Sequence, residues 1–243
     1  MKNNTVTQLS PAVSTLTAVE KNLEDNHSKM YSAKNEFGSA LFVLKQPNSQ
    51  QSEALRSLRS QLMLRWFNIG NKSLALIGTN MGEGCSYLAA NLAIVFAQLG
   101  LRTLLVDANL RDPNQHHLFN LKSEIGLSDI LAGHTGQVVI NPLNTVENLS
   151  VLSAGSIQGN AQELLSRATF TELMKQVTAQ YDVVLVDTAP SIMTADAQAT
   201  AASCAGVLLV SRLNHTKLSH LTEMCDQIAI TGAKIVGSVI NDF

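Results

Sequence analysis

The chain has 243 residues, 45% of them hydrophobic and only 15% charged, which suits one large domain or a domain with an extension. Net charge −2 and a pI near 6.3 give no electrostatic case for nucleic acid as the main partner. Three scattered cysteines, Cys85, Cys204 and Cys225, argue against a disulfide framework or a zinc site.

No apolar run approaches the roughly 20 residues of a membrane span, and the N-terminus lacks a basic-then-apolar leader pattern. A cytoplasmic location is expected, with any membrane link made through a partner. Residues 1 to about 46 are rich in Asn, Ser, Thr and Lys and read as a mobile extension. Its one apolar patch, Phe37 to Leu44, is a candidate for docking on the main domain.

Gln46-Pro47-Asn48-Ser49 marks a boundary, so the main domain is expected over residues 47–243. Asn48 is the expected cap of the next helix, with Gln51 reaching back. That helix turns Leu55, Leu58, Leu62 and Trp66 toward a core. Glu53, Arg56 and Arg59 form a charged stripe on another face. Such a stripe is either solvated surface, with pairs worth ~0.2–0.5 kcal/mol each, or a self-association motif.

Ser73 to Ile77 is a short apolar run that reads as a buried strand. It enters Gly78-Thr79-Asn80-Met81-Gly82-Glu83-Gly84-Cys85-Ser86, a loop with three glycines. Beyond it Leu88, Leu92, Val95, Phe96 and Leu99 share a helical face, and Ala89, Ala90, Ala93 and Ile94 make the other faces apolar too. Strand, glycine loop and helix form the setting of a phosphate-binding loop, where backbone N–H groups and the helix N-terminus face an anion. The usual G-x-x-x-x-G-K-[ST] pattern is broken: Gly84-Cys85-Ser86 stands where Gly-Lys-Ser belongs.

Gly100 ends that helix, and Arg102 to Val106 is a second buried strand, running into Asp107. A carboxylate at the C-terminal tip of a central strand lies at the edge where open α/β sheets bind ligands. Gly126 to Gly133 brackets a short helix, Leu149 to Leu152 is a strand, and Gln162 to Gln180 is helical with a break near Arg167. Asp182 to Asp187 is a third apolar strand ending in a carboxylate, as a magnesium-ordering residue opposite a phosphate loop would be. A helix from Asp196, strands Val207–Val210 and Ile235–Ile240, and a helix Leu218–Ile230 complete the chain. Apolar strands alternating with helices predict an α/β fold, a mostly parallel sheet with helices on both faces.

These boxes, in this order, resemble the bacterial tyrosine kinases of exopolysaccharide synthesis, P-loop proteins related to the Min/Par-type ATPases. The likeness runs from about Gln51 to Phe243. Glu53-x-x-Arg56-x-x-Arg59 resembles the family's oligomerisation motif. Gly82-Glu83-Gly84-x-Ser86 with Ala89-Ala90-Asn91-Leu92-Ala93 resembles its Walker A segment, and Leu104 to Pro113 its A-prime box. Gly126-Leu127-Ser128-Asp129, Ala154-Gly155, Glu163-Leu164-Leu165 and Tyr181 to Thr188 follow in family order. Arg65-Trp66-Phe67, Gln115-His116-x-Leu118-Phe119 and Asn241-Asp242-Phe243 look most like the stand-alone chain-length-determinant kinases of EpsG type.

The resemblance implies an oligomeric cytoplasmic subunit that binds ATP and Mg²⁺ and works with a membrane-embedded, Wzz-like chain-length determinant. It implies that backbone amides from Met81, Gly82, Glu83, Gly84, Cys85 and Ser86 cradle the phosphates. The Ser86 hydroxyl would bind Mg²⁺, Asp187 a metal-bound water, and Asp107 either metal or the attacking hydroxyl.

Three positions depart from the pattern. Cys85 replaces the phosphate-bridging lysine, and a thiol at a helix N-terminus tends toward a phosphate-repelling thiolate. Asn109 replaces an acidic residue, and the tyrosine-rich tail of the better-known kinases is missing after Phe243. Two readings follow: a working ATPase or autokinase with Arg111 partly replacing the lysine, or a pseudokinase scaffold. A redox switch at Cys85 is a third.

Overall fold

The computed structural model describes residues 40–122, 125–135, 137–156, 159–191 and 195–243. Most of the expected N-terminal extension, with Phe37 and Tyr31, lies outside the described residues. The elements in order are α1 (Phe42–Lys45), α2 (Gln50–Arg65), β1 (Ser73–Gly78), α3 (Cys85–Ala97), β2 (Thr103–Asp107), α4 (Gln115–Leu118) and α5 (Leu127–Ala132). They continue with β3 (Asn141–Pro142), β4 (Leu149–Leu152), α6 (Ala161–Leu165), α7 (Ala168–Gln180), β5 (Val183–Asp187), α8 (Asp196–Ser203), β6 (Gly206–Arg212), α9 (Leu218–Thr231) and β7 (Lys234–Asn241).

The seven strands form one sheet in the order β3-β4-β2-β5-β1-β6-β7, parallel throughout except for the short β3. β1, β2 and β5 are buried at every position, which is why they read as unbroken apolar runs rather than alternating ones. Alternation still sorts their side chains. Leu74 and Leu76 join one core with α1, α2 and α3, while Ala75 and Ile77 join the other with α5 to α9. The sheet is therefore covered on both faces, as the sequence predicts.

Helix α3 is buried from Leu88 to Ala97, but Leu99 lies beyond its end and is half exposed. Buried among its apolar residues is one amide, Asn91. It accepts from Val43 N–H (3.3 Å) and donates to the carbonyls of Ala40 and Tyr87 (both 2.9 Å). Those bonds seat Leu41, Val43 and Leu44 in the core, so packing reaches back ahead of the boundary expected at Pro47. The cap of α2 is Ser49 rather than Asn48. Ser49 has extended backbone and its Oγ accepts from Ser52 N–H (3.2 Å).

Trp66, just past α2, fastens that helix to the sheet. Its indole N–H donates to the Ser73 carbonyl (3.0 Å), and its ring lies over Gly206, the register neighbour of Leu74. A Cβ at Gly206 would sit 2.4 Å from the ring. Gly206→Ala is therefore expected to cost ~1–3 kcal/mol by overpacking. A urea titration followed by the fluorescence of Trp66, the chain's one tryptophan, measures it; a loss below ~0.5 kcal/mol would show that the ring gives way freely.

Candidate functional site

The C-terminal ends of β1, β5 and β2 lie side by side, and this edge carries the phosphate-loop candidate and both strand-end carboxylates. A cavity of about 670 Å³ opens there, a size suited to a small ligand. It is lined by the loop from Asn80 to Tyr87, by Asn109, Arg111, Asp112 and Asn114 beyond β2, and by Thr188 to Pro190 beyond β5. Of the residues expected from the sequence, Met81 to Ser86 and Arg111 line the cavity, while Asp107 and Asp187 are fully buried at the strand ends beside it. Glu53, Arg56 and Arg59 lie elsewhere, on α2.

Two loop glycines adopt left-handed backbone, Gly82 at φ 76° and Gly84 at φ 83°. Gly84 caps α3 without any side-chain hydrogen bond, and Cys85, Ser86 and Tyr87 of the first turn of this 13-residue helix line the cavity. Met81 stands 64% exposed at the loop tip. The Glu83 side chain turns the other way and is 1% exposed. It accepts from Thr79 N–H and Oγ1 (both 2.6 Å), Asn80 Nδ2 (2.9 Å) and Thr216 Oγ1 (2.5 Å). Burial alone would raise its pKa; the hydrogen bonds from Thr216, Thr79 and Asn80 outweigh that and hold it below the usual value. Glu83 therefore serves the cavity by its backbone, and its carboxylate clamps the loop. From outside, Asn241 Nδ2 donates to the Glu83 carbonyl (2.7 Å) and Arg212 Nη1 to that of Gly82 (3.3 Å). Arg212 also lies 4.3 Å from the centre of the Phe243 ring.

Asp107 and Asp187 are register neighbours across β2 and β5, and both are fully buried. Asp107 accepts three backbone N–H bonds, from Asn109 (3.2 Å), Asn114 (3.2 Å) and Gln115 (3.0 Å). Burial and the neighbouring Asp187 nevertheless push its pKa well up. Burial raises that of Asp187 to about 6, against the lowering effect of the nearby Ser86 hydroxyl and Gln115 amide. Asp187 Oδ1 has no hydrogen-bond partner. Two adjacent buried carboxylates with an unpaired oxygen form a site short of positive charge, which a divalent cation would supply. Among the described residues no cluster of three or more His, Cys, Asp or Glu could hold a metal by itself. Mg²⁺ takes one or two carboxylates and completes its shell with water and phosphate, which the unpaired Asp187 oxygen beside Asp107 fits. Ser86, Asp187 and Asp107 are the residues that would hold it.

Three expectations change in detail. The Cys85 thiol is not inclined to thiolate: burial and the adjacent Asp187 push its pKa well above the ordinary value. Its Sγ–H donates to the Leu76 carbonyl (3.2 Å), away from the loop amides. Arg111 lines the cavity, but Asp196 holds its guanidinium through two hydrogen bonds (2.6 and 3.1 Å), so it is not a free substitute for lysine. Asn109 is likewise engaged, bonding the Asp112 carbonyl (2.8 Å) and N–H (3.2 Å). Gln115, named from the sequence only as part of a motif, proves central. It is fully buried, and its Nε2 bridges Asp187 Oδ2 (2.8 Å) and the Ser86 carbonyl (3.0 Å).

The oligomerisation candidates have local partners. Glu53 pairs with Arg56, Arg56 also donates to the Pro47 carbonyl (2.7 Å), and Arg59 donates to the Val95 carbonyl of α3 (2.9 Å).

Two outcomes follow from the electrostatics. Asp187 holds its proton in the folded chain up to about pH 6 but loses it near 3.8 when unfolded, so its burial increasingly opposes folding between those values. In metal-free buffer the melting-temperature advantage of Asp187→Asn over wild type should grow from about pH 4 to about pH 6 and then level off. A constant difference across that range would contradict the assignment. Iodoacetamide at neutral pH should modify Cys85 no faster than Cys225, because the neutral thiol is the poorer nucleophile; faster labelling would restore the redox reading.

Comparison with known proteins places the chain in a family. The AAA domain family matches residues 71–236. The putative tyrosine-protein kinase CapB of Staphylococcus aureus is 32% identical over 203 residues, 84% of this chain and 89% of that protein. The putative tyrosine-protein kinase EpsB of Ralstonia solanacearum is 36% identical over 84% of this chain, which spans only 27% of EpsB. The crystal structure of the chimerical protein CapA2B2 superposes with a TM-score of 0.78 at 35% identity, over 84% of this chain and 90% of that one. With identity of this extent along most of CapB, the chain belongs to the bacterial tyrosine-protein kinase family of P-loop proteins.

Proposed function

We propose that this protein is a cytoplasmic, Mg²⁺-nucleotide-binding subunit that helps set exopolysaccharide chain length and export, and that its phosphoryl transfer is impaired. In this role it sits at the inner face of the membrane through a Wzz-like chain-length determinant and assembles with copies of itself through the Glu53, Arg56, Arg59 stripe. The kinase names of its relatives support the setting. No helix among the described residues is long and apolar enough to cross a membrane.

One observation carries the reading of impaired transfer. Among the described residues lining the cavity Arg111 is the only cation, and Asp196 already holds it. The backbone cradle and the carboxylate pair are kept, whereas the side chain that would bridge the outer phosphates is a thiol bonded back to β1. Phosphoryl transfer depends on neutralising charge that spreads over the phosphate oxygens, so this loss falls on the transition state more than on binding. The alternative, a fully working kinase, requires Arg111 to leave Asp196 when nucleotide binds.

Calorimetry with Mg-ATP, together with ATP hydrolysis, on wild type and Cys85→Lys tests the proposal. Restoring a charge-assisted hydrogen bond worth ~1.5–3 kcal/mol should tighten ATP binding roughly 10–100-fold and raise hydrolysis by at least as much. Wild-type turnover equal to that of Cys85→Lys would defeat the impaired reading. Failure of both forms to bind nucleotide would defeat the nucleotide reading altogether.

A further inference from the structure

The feature of the site still without a role is a pair of buried oxygens that accept nothing. Gln115 Oε1 and Asp187 Oδ1 both lack a hydrogen-bond partner, although both residues are fully buried. They belong to one cluster, because Gln115 Nε2 donates to the other oxygen of Asp187 at 2.8 Å. The orientation of the amide is fixed by its surroundings. Its NH₂ faces two acceptors, Asp187 Oδ2 and the Ser86 carbonyl (3.0 Å), and a flipped amide would set oxygen against oxygen at both. Its backbone N–H meanwhile holds Asp107 Oδ2 (3.0 Å). One residue thus touches both carboxylates and the residue of the loop expected to bind the metal.

The missing group must supply positive charge to Asp187 and a hydrogen-bond donor to Gln115. A nucleotide phosphate supplies neither, since its oxygens only accept. A hydrated divalent cation supplies both, the charge from the metal and the donor from its water. Resting on the reading of this cavity as a Mg²⁺-nucleotide site, we propose that Gln115 is a positioning residue of that site, its Oε1 accepting a hydrogen bond from a water carried by the cation while its NH₂ fixes Asp187. Gln115 thereby joins the loop after β2 to the loop after β1 when metal enters. The outer groups around a metal commonly govern affinity by 10–100-fold, so the residue has a measurable share.

The test is ADP affinity by calorimetry, at saturating Mg²⁺ and in EDTA, for wild type and Gln115→Leu. The variant should lose about tenfold or more of the gain in affinity that Mg²⁺ gives wild type, each gain taken against the same protein's own affinity in EDTA. A gain equal to that of wild type overturns the proposal. Absence of any Mg²⁺ gain in wild type overturns the metal-site reading beneath it, and is seen before a variant is made. Gln115→Glu keeps the acceptor but sets a second oxygen against Asp187 Oδ2 and the Ser86 carbonyl, a repulsion that a bound cation relieves, so Mg²⁺ should raise its melting temperature by more than it raises that of wild type. A rise no larger than in wild type counts against the role, and this variant decides should Gln115→Leu fail to fold.

Discussion

Two carboxylates set at matched positions on neighbouring central strands govern the geometry of the sheet edge where the cavity opens. Asp107 and Asp187 end β2 and β5 in register, and neither reaches water. A buried carboxylate is tolerated when it is hydrogen-bonded or paired, and each of these recruits its surroundings accordingly. Asp107 gathers the backbone from Asn109 to Gln115 around itself, which fixes the loop beyond β2. Asp187 is met by the Gln115 amide and raises the pKa of Cys85 at the start of the helix opposite. Few-residue loops with no helical or sheet bonding are otherwise poorly defined. Here their shape is the packing solution around two buried carboxyl groups.

The phosphate loop is set by a third carboxylate with the opposite balance. Glu83 is nearly as buried as the aspartate pair but has a full set of donors, so it stays ionised and holds the loop in shape. Its partner Thr216 also accepts from Arg212 N–H (2.8 Å), which carries the clamp to the end of β6. The loop therefore keeps its cradle without any lysine. Shape and charge have come apart here: the strand, glycine loop and helix of a phosphate-loop pattern persist, while a thiol stands where that pattern has lysine.

Much of this was legible in the sequence, because buried parallel strands must be apolar along their length. That one rule found β1, β2 and β5, and the acidic residue at the end of the last two marked the ligand edge. What escaped depended on partners distant in sequence. Nothing around Arg111 announces Asp196, 85 residues on, and nothing around Cys85 announces that Asp187 will lie beside its thiol. A helix N-terminus alone argues for thiolate, and the carboxylate reverses it. Gln115 follows a proline-containing turn and precedes two histidines, a surface-like setting; only the fold shows it turned inward. The cap at Ser49 was missed by one residue, since Asn and Ser serve that position about equally and backbone conformation makes the choice.

Asn91 has a mechanical implication. Its amide takes hold of residues 40 and 43 from the middle of α3, the helix whose first turn faces the cavity. Residues 40 to 43 are thus fastened to the helix that would meet a phosphate. A load applied to the chain at residue 40 would be borne first by α3, and a shift of α3 on taking up ligand would move that attachment point with it. The link runs through the Asn91 amide and the stacked rings of Phe42 and Tyr87, on one face of the sheet.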